Sequence, residues 1–410
     1  MTLPSAEGLN VLISAYACRP NAGTEPGIGW NWVIHMADEC GSVHVLTAGR
    51  NRKAVTAYLE EHPRGNLHFH FMDVPGMDEM SAGAKHYLRW QWLAFQLSKR
   101  LRRNVAFDIV HHVSYGSVHL PTFLCWLGVP TIFGPVGGGQ TTPNSLLPYF
   151  GDQAGSERRR TGLTKLLPWI PFYRLCMGRM ALVLAANSDT LDLARRSGAH
   201  KVALMCDTGL REDFASDAPR TFCDGAGIRL LWVGRLLPRK GVELALDALQ
   251  RTPANISLTF VGDGRSEAEM RREIANRGLE QRVFWSGKRA SWSEVREAYL
   301  SHDALLFTSV RDSFGSQLLE AMSVGLPIVA LSQSGARDFV PSDAGIKVNV
   351  HDTAQSTVEA LAEGITRFAE SSVEARNAFS KNAWIASKNF AWVERARTAA
   401  TYYRELVKPQ

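Results

Sequence analysis

The sequence predicts an α/β protein of two domains, each a parallel sheet wound with helices, and three observations predict it. Its 410 residues exceed what one hydrophobic core ordinarily fills, so two domains of roughly 200 residues are expected. Short apolar runs of strand length alternate with stretches of helical period, the pattern of strands buried on both faces by crossover helices. These runs empty into polar, glycine-bearing turns, which is where open parallel sheets hold their ligands.

The stretch 304–331, ALLFTSVRDSFGSQLLEAMSVGLPIVAL, shows the unit most clearly. Residues 304–307 form a buried strand, 308–315 turn polar, and Leu318, Leu319, Ala321 and Met322 give a helix from about Ser316. Gly325 stops that helix and Pro327 keeps it from resuming before the next strand at 328–331. Asp312 lies in the turn and Glu320 one turn into the helix, eight positions later, with apolar residues on both sides. A carboxylate there is costly to bury without a partner. The amides of Gly315, Ser316 and Gln317 open the helix and, with its dipole, form a phosphate seat. An acid beside a phosphate seat points to a sugar hydroxyl between them.

Two acids separated by seven residues, then Ala321-Met322 and the Gly325-Leu326-Pro327 turn, resemble the signature of the retaining nucleotide-sugar glycosyltransferases of family GT4. The first acid is usually Glu in that family and is Asp312 here, one methylene shorter. The resemblance implies the GT-B fold: two Rossmann-like domains facing across a cleft, with a C-terminal helix crossing back to the first. On that basis the N-terminal, acceptor-side domain is expected over 1–212 with a returning helix at 391–410, and the nucleotide-sugar domain over 213–390.

Composition sets bounds on function. With 45% hydrophobic and 21% charged residues the chain reads as soluble and globular. The six cysteines form no C-x-x-C pair and no zinc spacing, and read as reduced thiols of a cytoplasmic protein. No secretory signal is read before the first strand, and the longest apolar region, 119–139, is broken by Pro121, Pro130 and Pro135. The net charge of +6 sits almost wholly in residues 1–210.

In the first half, strand 11–18 empties into a loop that carries Gly23, with Gly27 and Gly29 beyond, before a helix containing Trp30 and Trp32. The loop lacks G-x-G-x-x-G, so a dinucleotide is not expected; the family counterpart faces donor phosphates, which gives Gly23 that role by resemblance. Further strands are read at 43–48, 67–74, 108–113, 131–136, 183–186 and 202–206. His111 and His112 end one of them and are candidates to face the acceptor, as are Gly137 and Gly138 after the strand 131–136. Two basic-aromatic segments stand out. Residues 85–103 carry six Lys and Arg and no acid, with Tyr87, Trp90, Ala94 and Leu97 at helical spacing; residues 158–173 join Arg158, Arg159, Arg160 and Lys165 to Trp169, Ile170 and Phe172. Both are candidates for an anionic membrane surface, by which the protein would be peripheral at the inner face of the plasma membrane. Nucleic acid is not expected, since these aromatics follow helix period.

In the second half, strand 229–233 runs into Gly234-Arg235-Leu236-Leu237-Pro238-Arg239-Lys240-Gly241, and Arg235 and Lys240 can neutralise a diphosphate. Resemblance to the family's Gly-Arg, Lys-Gly pattern gives them that role. Gly262, in a tight turn after the next strand, lets backbone pass near the ligand, and Lys288 follows a strand at 283–287 as a further donor contact.

No D-x-D pair is present to hold a metal, and no cofactor is expected beyond the nucleotide-diphosphate sugar as substrate. Arg235, Lys240 and the helix opening would then stabilise the departing diphosphate electrostatically. Glu320 would bind ribose hydroxyls, while Asp312 with the amides of Ser313, Phe314 and Gly315 would hold the donor sugar. The acceptor expected is a glycan, lipid-linked or surface-polysaccharide precursor. A nucleotide-sugar epimerase, an NAD-dependent oxidoreductase and a non-catalytic sugar-binding protein are the competing readings.

Overall fold

The structure is a computed structural model that describes residues 8–76, 79–211, 214–223, 225, 227–265, 267–285 and 291–407. It divides into two compact units. The first comprises residues 1–139, 165–209 and 392–410, and the second residues 140–164 and 210–391.

The first unit is built on a seven-stranded sheet, all parallel: β1 (Asn10–Ala15), β2 (Ser42–Ala48), β3 (Leu67–Met72), β4 (Ile109–Ser114), β5 (Thr131–Val136), β6 (Leu182–Ala185) and β7 (Val202–Leu204), in the order β3-β2-β1-β4-β5-β6-β7. The central strands β4, β5 and β6 are buried along their full lengths, so both faces of the sheet are covered. On one face Trp32, Val33 and Met36 of the helix Thr24–Glu39 pack with Trp392, Ala396, Ala399 and Tyr403 of the helix Trp392–Val407. That C-terminal helix, anticipated over 391–410, thus has its apolar stripe in the core of this unit.

On the other face, Tyr87, Trp90 and Ala94 of the helix Glu79–Leu101 join Leu12, Tyr16 and Leu46 in one core. This bears on the first basic-aromatic segment. The stripe read there as a membrane face is occupied by the sheet, because its aromatics fall on the side that β1 and β2 cover.

The second unit carries a six-stranded parallel sheet: β8 (Ile228–Val233), β9 (Ile256–Val261), β10 (Val283–Trp285), β11 (Ala304–Phe307), β12 (Ile328–Leu331) and β13 (Gly345–Val348), in the order β10-β9-β8-β11-β12-β13. Both sheets are Rossmann-like. The edge strand β13 has no counterpart among the sequence expectations, being short and interrupted by Lys347, whose ammonium donates to the Val340 carbonyl at 2.8 Å.

Residues 140–164, read from the sequence as part of the first domain, cluster with the second. Leu146 and Phe150 are buried in the core formed by β8, β9 and the helix Val242–Gln250, and Tyr149 donates to Asp247 at 2.8 Å. The chain leaves the first sheet after β5, contributes this segment to the second unit, and returns for β6.

Candidate active site

The strand order of the second sheet reverses between β8 and β11, the kind of switch point beyond whose strand ends open α/β sheets hold their ligands. The loop after β8 carries Arg235, Arg239 and Lys240, and the loop after β11 carries Asp312. Residues 74 positions apart in the chain are neighbours here, with Ala304 paired to Leu230 and Leu305 to Leu231, so the two loops rise side by side.

The loops are fastened together. The amides of Val310 and Arg311 both donate to the Arg239 carbonyl, at 3.0 and 3.1 Å. Buried Thr308 accepts from Trp232 Nε1 at 3.0 Å and donates to the Gly241 carbonyl at 2.8 Å, with the Lys240 carbonyl 3.1 Å away. At this join Lys240 forms an ion pair with Asp312 Oδ2, and Lys240 is itself buried. Asp312 Oδ1 lies 3.7 Å from Arg239 and accepts from the Ser313 amide at 3.1 Å. Burial pushes the Asp312 carboxyl up, but Lys240, Arg239 and that amide together hold it below the ordinary carboxylate range. Asp312 is therefore an anion at neutral pH with both oxygens engaged.

The helix Ser316–Ser323 begins just beyond, capped by Gly315 at φ 98°, with no side chain capping its first amides. A Cβ at Gly315 would stand 2.6 Å from Phe307 Cζ, so only glycine allows the helix to start this close to the strand. Gly262 plays a similar part on the opposite loop: a Cβ there would lie 1.9 Å from the Gly234 carbonyl oxygen, so these two backbones pass in direct contact. Gln317 is near Gly234, and its Oε1 is buried with no hydrogen-bond partner among the described residues. Ser313 and Phe314 complete the turn, and Phe314 is buried against Phe339 and Phe390.

Glu320 sits one turn into the same helix, half-buried, and accepts from Tyr299 Oη at 2.8 Å. Burial raises its carboxyl above the ordinary value, while Tyr299, Ser316 and the charges of Lys240 and Arg211 pull it back toward ionisation. Lys240 thus acts electrostatically on both acids. Tyr299 comes from the helix Trp292–Ser301, and nothing in the spacing of the signature pointed to it.

Sequence reading also missed Glu157. This buried acid, on the helix Ala154–Leu166, accepts from Thr142 Oγ1 at 2.7 Å, lies 2.8 Å from Arg311 Nε and 3.6 Å from Arg160 Nη1. Arg160, read from the sequence as one cation of a surface patch, is drawn into this cluster; burial and Arg311 push its guanidinium down to about 10. Arg235 is exposed at the tip of its loop, and Lys288 lies outside the described residues.

The first unit deals differently with its candidates. His111 and His112 are fully buried in β4, which both faces of the sheet cover, and cannot meet an acceptor in this structure. The ring nitrogens of His111 lie 2.6 Å from Tyr403 Oη and 2.6 Å from the Gly134 carbonyl; those of His112 lie 3.1 Å from Tyr87 Oη and 3.0 Å from Ser14 Oγ. Gly137 is buried and bonded through its backbone to Val118 and Gly116, at 2.8 Å each. Gly138 faces His119, whose Nδ1 would be 3.1 Å from a Cβ built at that position. Gly23 is exposed and opens the helix Thr24–Glu39, whose Glu25 accepts from the Gly116 amide at 2.7 Å.

Residues 221–384, which contain Lys240, Asp312 and Glu320, match the family described as Glycosyl transferases group 1. Among curated relatives, the lipopolysaccharide 1,6-galactosyltransferase of Salmonella typhimurium is 38% identical over 114 residues, 27% of this chain and 32% of that protein. The chain therefore matches about a third of that relative's length. Among solved structures, HepE of Anabaena in complex with UDP and glucose superimposes with a TM-score of 0.58 at 18% identity, covering 96% of this chain and 99% of the other. The apo form of WaaB, a lipopolysaccharide outer core galactosyltransferase, does so with a TM-score of 0.60 at 18% identity, covering 96% and 99%. At such identities these two show the fold alone. The switch-point loops with Lys240, Asp312 and Glu320 accordingly stand in the segment that matches the group 1 glycosyltransferases.

Proposed function

We propose that the protein is a retaining glycosyltransferase that moves a hexose from a nucleoside-diphosphate sugar to a glycan or lipid-linked acceptor, as in building lipopolysaccharide or another surface polysaccharide. The observation that carries this reading is the buried Lys240 held by Asp312 at the switch point, beside an uncapped helix start and one turn from Glu320.

Transfer breaks the bond between the anomeric carbon and a phosphate oxygen, forms one to the acceptor hydroxyl oxygen, and passes that hydroxyl's proton to the departing phosphate. Negative charge grows on the diphosphate. Lys240, Arg235 and the amides of Gly315, Ser316 and Gln317 meet it with fixed positive charge and dipoles, so the chain itself supplies the stabilisation. Lys240 is preorganised for the task because Asp312 fixes its ammonium before substrate arrives. The Phe314 amide then takes a sugar hydroxyl, and Glu320, oriented by Tyr299, takes those of the ribose.

The acceptor class is supported by one relative named as a lipopolysaccharide 1,6-galactosyltransferase, and such an acceptor would place the work at the cytoplasmic face of a membrane. The direct test is a thermal-shift screen of UDP-, GDP- and dTDP-sugars, with UDP-hexoses first, followed by an assay for donor hydrolysis. A donor that binds the native state raises the melting temperature by mass action. No stabilisation by any nucleotide sugar would refute the reading, and an epimerised donor in the absence of acceptor would replace it with isomerase chemistry.

A further inference from the structure

The segment 165–179 of the first unit is two-faced in a way the donor chemistry does not use. Its helix Pro171–Arg179 buries Tyr173, Cys176 and Met177 against Val118, Phe133 and Leu193, and the Tyr173 hydroxyl donates to the Val118 carbonyl at 2.8 Å. The inner face is thereby fixed. The outer face is apolar as well, yet it stands in solvent: Trp169 is 80% exposed and Phe172 56%, with Leu166, Ile170 and Leu175 exposed beside them. Soluble monomers seldom leave so many large apolar side chains together on one face.

The charge along the segment has one sign. No Asp or Glu occurs between Glu157 and Asp189, whereas Lys165, Arg174 and Arg179 lie on the segment and are exposed. Arg174 donates to the Pro168 carbonyl at 3.1 Å and to the Arg196 carbonyl at 3.0 Å, which fixes its guanidinium at the rim and brings a further exposed arginine alongside. Arg179 stacks on Trp126, 3.8 Å from the ring centroid, so a half-exposed indole is held at the border.

We propose that 165–179 is a membrane hook: Leu166, Trp169, Ile170, Phe172 and Leu175 enter the boundary between headgroups and acyl chains of an anionic bilayer, while Lys165, Arg174 and Arg179 meet lipid phosphates. Exposed aromatic and aliphatic side chains on a segment that carries cations and no acids are what such a surface selects. A second copy of this chain fits less well, since an isologous contact would set the same cations face to face. Between the two basic-aromatic segments, the structure favours this one, because the stripe of the helix Glu79–Leu101 is spent on the core. The inference is independent of the donor site, as vesicle binding requires no turnover.

The test uses the full chain and vesicles of phosphatidylcholine alone or mixed with phosphatidylglycerol, read by co-sedimentation. The chain is expected to pellet with the mixed vesicles, and both W169S/F172S and K165E to weaken that binding about tenfold with an unchanged melting temperature. Failure of the unaltered chain to bind mixed vesicles overturns the proposal, as does undiminished binding by both variants. So does self-association in ultracentrifugation that W169S/F172S abolishes while vesicle binding is nil, which would make a second copy the occupant.

Discussion

Glu157 and Arg311 lie 2.8 Å apart in the second unit, although 154 positions separate them in the chain. The acid comes from the segment that leaves the first sheet after β5, and the arginine directly precedes Asp312. Through this pair the excursion 140–164 grips the loop that presents the site's acid.

Removing Glu157 leaves Arg311 and Arg160 close together without their shared counter-charge. E157A is expected to destabilise the second unit by about 3 kcal/mol, the range for breaking one side of a largely buried pair. E157Q, which keeps the bond from Thr142, is expected to recover part of that loss. Urea denaturation of both variants checks this, and an unchanged midpoint in E157A would show that the pair contributes nothing.

Lys240 is the group on which diphosphate stabilisation depends most. K240A is expected to lower transfer by about a hundredfold, the range for losing one preorganised charge-stabilising group. D312N, which frees the ammonium but keeps it in place, is expected to lose less turnover than K240A. Steady-state kinetics with the donor identified by the screen decide it, and near-normal turnover in K240A would sink the assignment.

Burial raises the Glu320 carboxyl, and the hydrogen bond from Tyr299 offsets part of that rise. Y299F deletes the donated hydrogen bond, so the Glu320 carboxyl rises further and its charged fraction at a given pH falls. The acid limb of the pH–rate profile is expected to move to higher pH. A limb in its original place would separate Glu320 from the titration that matters.

His111 and His112 set an acid limit on stability. Burial drives His111 down to about 3, the Gly134 carbonyl opposing, and His112 down to about 4. Between those values and the ordinary value near 6.5 the unfolded chain binds protons that the folded chain refuses. Stability from these groups is therefore full above that window and is lost as pH falls through it. At pH 5 the loss is about 2 kcal/mol for each imidazole. Denaturation at pH 7.5 and pH 5 measures it, and equal midpoints at the two would contradict the buried neutral state.

E320A probes the other acid of the signature. It is expected to raise the KM for donor and to lower turnover by about a hundredfold, as for a lost charged contact that orients the substrate. Unchanged donor binding by calorimetry would remove Glu320 from the nucleotide contacts.

The sequence by itself determined the two-domain α/β architecture, nearly every strand, and the strand-turn-helix-strand unit over 304–331. These follow from local rules: apolar runs of strand length, helical period, and the glycine and proline stops at Gly325 and Pro327. It also marked Lys240, Asp312 and Glu320, because acids and cations at strand ends are costly unless a ligand or partner answers them. Tertiary structure alone decided which partner answers. The reversal of strand order between β8 and β11 sets Lys240 against Asp312. The excursion 140–164 delivers Glu157 to Arg311, and Tyr299 reaches Glu320 from a separate helix. It also consigned His111 and His112 to the interior, since alternation along a chain cannot tell a strand covered on one face from a strand covered on both. Partners brought together by strand order leave no trace in local periodicity, which is why the site's charges were legible and their pairing was not.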